Sequence, residues 1–91
     1  MYTLEETYLE CINDYSCKFY IARLVAEDDG TFSVPVCYGS LGTMGYQYTR
    51  ADHAAEQVAH KAYDAIIRQK ERRGYEISHR PDYLANAFSH G

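Results

Sequence analysis

The tetrapeptide Glu27-Asp28-Asp29-Gly30 constrains the fold of this chain more than any other stretch, because of what stands on either side of it. An Asp-Gly pair accepts φ > 0 at the tight positions of a connection between two antiparallel strands. The run before it, residues 18–26, is rich in aromatic and β-branched side chains, and a second run starts at Thr31. There Phe32, Val34, Val36 and Tyr38 alternate with Thr31, Ser33, Pro35 and Cys37, which is the two-residue period of a strand with one apolar and one mixed face. Together they predict an antiparallel hairpin. Pro35 lacks the N–H that a ladder needs, so it marks an edge position or a bulge.

Two shorter strands are expected around this hairpin, one over residues 8–12, reached through a turn at 13–16, and one from Gly45 or Tyr46 to Thr49. A single helix then dominates. Asp52 reads as its N-cap with Glu56 in the next turn, and Ala55, Val58, Ala59, Ala62, Tyr63, Ile66 and Lys70 keep one stripe at helical spacing. His53, Gln57, His60, Lys61, Asp64, Arg68 and Glu71 fall opposite. Gly74 stands where an αL cap is expected, with Tyr75 able to fold back on the last turn. Strands followed by one helix predict an α+β fold, a twisted antiparallel sheet of three to four strands with one long α-helix packed across one face.

A chain of 91 residues with 46% hydrophobic content suits one core, so residues 1–78 are read as a single domain and 79–91 as a tail, either a short helix or disordered. No apolar run approaches the roughly 20 residues needed to span a bilayer. Glu5 and Glu6 stand where a secretory signal has a basic, then apolar, stretch, and the three cysteines form no Cys-x-x-Cys pair. A soluble, cytoplasmic protein with reduced thiols and no membrane association is expected. Its oligomeric state is not legible in the sequence.

The net charge of −4 is a poor overall footprint for binding a polyanion, yet it is unevenly spread. Residues 1–17 hold Glu5, Glu6, Glu10 and Asp14 without a lysine or arginine. Residues 68–80 hold Arg68, Lys70, Arg72, Arg73 and Arg80 against Glu71 and Glu76. A solvated helix end whose cations offset the macrodipole explains such a run without any ligand.

No catalytic constellation emerges. Gly39, Gly42 and Gly45 sit at a strict spacing of three, but a phosphate loop leads into a helix, and strand-like Tyr46-Gln47-Tyr48 follows here without the Lys-Ser/Thr of a Walker motif. His53, Glu56 and His60 have the spacing of metal ligands on a helix, though on its polar side and without a fourth ligand. Cys17 and Cys37 have no oxyanion turn or orienting carboxylate at a recognisable spacing. No enzyme activity, cofactor or metal is expected.

The ordered set Lys18-Phe19-Tyr20, the acidic-Gly hairpin, Tyr38-Gly39-Ser40-Leu41-Gly42-Thr43 with Gly45 and Gln47, then Ala59, Tyr63 and Lys70-x-x-x-Gly74-Tyr75 resembles the Trp-Gly-Arg (WGR) domain across residues 7–76. The resemblance implies a sheet with a helix across it. In eukaryotic poly(ADP-ribose) polymerases this domain helps grip DNA ends and signals to a catalytic domain; bacterial relatives are often short and standalone. Tyr38, Gly39 and Ser40 stand at the signature, keeping an aromatic and losing the arginine. The resemblance therefore implies a non-enzymatic module that binds nucleic acid, a DNA end or strand. Its contacts would be Tyr38, Gly39, Ser40, Gly42 and Thr43 of the turn, with Lys18, Arg50, Lys70, Arg72 and Arg73 around it. Tyr38 would stack on a sugar or base, and Ser40 would offer a phosphate one hydrogen bond without an arginine's charge-assisted fork. Tyr38 also has the parity of a core residue. Ten tyrosines, no tryptophan and the acidic balance fit an alternative, a protein-interaction adaptor or a small acidic protein that binds a basic partner, for which nucleic acid is irrelevant.

Overall fold

The computed structural model describes residues 1–88. The elements run β1 (Tyr2–Ile12), β2 (Cys17–Ala26), β3 (Phe32–Ser40), β4 (Tyr46–Ala54), α1 (Glu56–Arg72), β5 (Glu76–Ile77) and a 3-10 turn at Asp82–Leu84. The fold is α+β, and its five-stranded antiparallel sheet has the order β4-β3-β2-β1-β5. The hairpin at Asp29-Gly30 closes as expected, with Gly30 at φ +85° and the Glu27 N–H donating to Thr31 O at 2.8 Å.

The sheet is larger than the three to four strands expected, for three physical reasons. β1 starts at Tyr2 because its exposed front half pairs through backbone with β2, Tyr2 opposite Ala26, past a bulge between Thr3 and Glu5. β5 is a two-residue strand formed as the chain leaves α1 and pairs Leu9 with Ile77. β4 runs to Ala54, pairing there with Phe32, so Asp52 lies in a strand and is not the helix cap. Ala55, extended at φ −63° and ψ 150°, precedes α1 without a side-chain cap. Pro35 sits where the β3–β4 register shifts, the bulge of the two expected alternatives, since β3 is internal to the sheet. His53 belongs to β4, so the spacing of His53, Glu56 and His60 along one helix does not exist.

Both faces of the sheet are buried. On one, Leu9, Tyr20, Ala22, Leu24, Val34 and Val36 pack against Ala59, Tyr63 and Ile66 of α1. Val58, expected in that helical stripe, is 56% exposed. On the other, Tyr8, Phe19, Ile21 and Cys37 are covered by Leu84 and Ala87, with Phe88 alongside. The tail over residues 82–88 is thus a third layer, and Ser89, His90 and Gly91 of the expected 79–91 tail lie outside the described residues. Glu6 helps anchor this side, pairing with Arg23 Nε at 2.5 Å and Arg80 Nη1 at 2.8 Å. At the end of α1, Gly74 takes φ +98° and the Tyr75 N–H returns to Lys70 O at 3.0 Å, the αL cap expected there.

Candidate nucleic-acid interface

The glycine turn is held by backbone meeting backbone. A Cβ on Gly39 would lie 2.8 Å from Gly45 Cα, and one on Gly45 would strike the Tyr38 carbonyl oxygen and stand 2.8 Å from Phe19 Cζ. Only glycine permits this approach. Thr43 closes the turn, its N–H and hydroxyl both donating to Ser40 O at 3.1 and 2.7 Å. The tail adds two ties: the Gly42 N–H donates to Tyr83 Oη at 2.6 Å, and Gln47 Nε2 donates to Ala87 O at 2.5 Å.

This frame sets Tyr38 opposite Tyr20 on one side and Tyr46 on the other, so three rings stand in one row across β2, β3 and β4. Tyr38 stacks on Tyr20 with centroids 6.1 Å apart, is tilted against Tyr46 at 6.0 Å and meets the edge of Tyr48 at 5.8 Å. Tyr38 is 41% exposed, an outward ring resting on the core and not a closed core residue. Beneath it the Tyr20 and Tyr48 hydroxyls hydrogen-bond at 2.9 Å, and burial with that bond pushes the Tyr20 pKa well above the tyrosine range.

Lys70 enters from the last turn of α1, its ammonium 4.7 Å from the Tyr20 ring centroid and 5.6 Å from that of Tyr75, within cation–π range of both. Burial lowers its pKa first, and repulsion from Arg73, Arg50 and Lys18 adds to that. A cleft of about 510 Å³ opens here. Lys18, Tyr38, Gly39, Ser40, Lys70 and Arg73 line it, so six of the ten residues expected at the site converge. Arg50 is outside the lining but close enough for its field to reach Lys70 and Tyr20. Gly42 and Thr43 serve the turn, and Arg72 is exposed on the last turn of α1, away from the lining.

The same cleft has walls that sequence reasoning missed: Tyr46, Tyr75, Cys11 near the end of β1, and Asn13 and Ser16 of the β1–β2 connection. Tyr46 had a signal, since it leaves the glycine turn directly and must face the strand that entered it. Among the described residues no carboxylate lines the cleft and no ion pair engages Lys18, Arg50, Lys70, Arg72 or Arg73. Two carboxylates of β1 are engaged elsewhere. Glu6 binds Arg23 and Arg80, while Glu10 accepts from Tyr8 Oη at 2.8 Å.

Among the described residues no helix is long and apolar enough to cross a membrane. No curated protein and no solved structure matches the chain. The family model of the WGR domain matches residues 5–81, nearly the whole chain, with the glycine turn and the helix end that frame the cleft inside the match. By that match, this chain belongs to the WGR domain family.

Proposed function

We propose that this protein is a non-enzymatic nucleic-acid-binding module of the cytoplasm whose contact surface is the cleft between the glycine turn and the end of α1. The observation that carries the proposal is the convergence of Lys18, Lys70 and Arg73, without carboxylate partners among the described residues, on the exposed rings of Tyr38 and Tyr46. Phosphates need cations that are not already neutralised, and bases or sugars need flat apolar faces; both lie within one cleft. Ser40, exposed at its rim, offers a hydroxyl to a phosphate oxygen in place of the family's arginine. The three cysteines are free, in keeping with a reducing compartment.

The test is a titration of a labelled oligonucleotide at two salt concentrations with the wild type, Tyr38→Ala and Lys18→Glu/Arg73→Glu. Both variants change exposed positions. Binding that weakens with salt and drops in both variants is expected; binding indifferent to all of them contradicts the proposal. A protein partner captured after nuclease treatment and lost on Tyr38→Ala, with no oligonucleotide bound at low salt, would favour the adaptor alternative.

A further inference from the structure

The rings around the cleft favour one form of nucleic acid over another. Tyr46 is 72% exposed, yet its ring is propped by Tyr38 at 6.0 Å, so a base landing on it meets a surface already ordered. Tyr48 lies two residues further along the same face of β4, its hydroxyl fixed by Tyr20. β4 is the edge of the sheet, with no strand beyond it among the described residues. Such a platform needs free base faces. Except at its two ends, a duplex keeps its base faces stacked inside and displays phosphates and groove edges instead.

Charge points the same way. Duplex binding without sequence readout draws on phosphate neutralisation, and this molecule carries a net charge of −4 with three cations lining its cleft. Ser40 supplies no guanidinium fork for a phosphate. Each base stacked on an aromatic ring, by contrast, is worth about five- to hundred-fold in affinity. Stacked bases add to the phosphate contacts, and a duplex interior cannot offer them. Resting on the nucleic-acid reading above, we propose that the site takes an unpaired strand in preference to a duplex, with bases on Tyr46 and Tyr38 and the intervening phosphates against Lys18, Lys70 and Arg73.

The experiment compares a labelled oligothymidylate, an oligouridylate of equal length and a blunt DNA duplex, each titrated with the full chain. At least ten-fold tighter binding of one or both single strands is expected, with a log–log salt slope of about −2 for three phosphate contacts on a strand. The strand preferred, DNA or RNA, identifies the polymer. Tyr46→Ala should weaken strand binding about five- to hundred-fold without moving the melting temperature, and Tyr46→Phe should restore it. Because the chain has no tryptophan, quenching of its tyrosine fluorescence reports the stacking directly. Equal or tighter binding of the duplex overturns the preference while leaving the nucleic-acid reading intact. Binding of none of the three overturns both.

Discussion

Gly45 has no room for a methyl group, and its φ of +69° is one that side chains disfavour. Gly42, three residues earlier, has φ +92° but open space around it. The two therefore separate strain from collision. Gly42→Ala should cost about 1–2 kcal/mol from conformation alone, and Gly45→Ala about 3 kcal/mol or more because the collision is with backbone and with a fully buried ring. Chemical denaturation of the two variants checks the difference; equal losses would mean the turn is looser than described. His53 is the other residue with a distinctive backbone, a non-glycine at φ +48°. Asp52 Oδ1, 2.7 Å from its Nδ1, raises its pKa above the histidine norm, with Glu27 and Asp29 adding to the effect. A raised folded-state pKa contributes stability that is fully present below the unfolded value of about 6.5 and is lost as pH rises through the folded value. The melting temperature should accordingly fall more across that window in the wild type than in His53→Asn, which suits the same backbone and does not titrate. Parallel curves would contradict the assignment.

At the scale of elements, the third layer is the part with the most to test. Leu84 is fully buried on the sheet face opposite α1, so Leu84→Ala should cost about 2–5 kcal/mol by calorimetry or denaturation. Tyr83→Phe removes only the acceptor of the Gly42 N–H and should cost about 1 kcal/mol. A tail that contributes nothing to stability would leave both unchanged. This layer was hard to read because Leu84, Ala87 and Phe88 form too short an apolar group to carry a period. The sequence did hold its imprint in β2, where Phe19 and Ile21 face one side and Tyr20, Ala22 and Leu24 the other, all five buried. A strand apolar on both faces needs cover on both. The central hairpin was legible from its Asp-Gly turn and the alternation along β3, most of the helical stripe because its burial is one-sided, and the αL cap because Gly74 ends the stripe. The front half of β1 and the end of β4 were not, since backbone pairing holds them while their side chains remain largely exposed.

For the whole molecule, the decisive feature is how the fold distributes its charge. The acidic strand β1 spends Glu6 on Arg23 and Arg80, and the cations at the end of α1 are left facing Lys18 across a tyrosine floor. Much of that cleft could be read from the ordered motif, because Tyr38, Gly39, Ser40 and Lys70 are consecutive or sit at a helix end. Tyr46 and Tyr75 left signals in their places just after the glycine turn and the helix end, but their arrival in one cleft with Lys18 comes from strand register and the helix cap, which the folded chain specifies. The most direct test of the cleft as the contact surface is an amide chemical-shift titration of the isotope-labelled protein with a short oligothymidylate. Saturable shifts are expected at Lys18, residues 38–40, Tyr46, Lys70, Arg73 and Tyr75, with the tail-covered face silent. Shifts confined to that opposite face, or none at low salt with either a strand or a duplex, would contradict it.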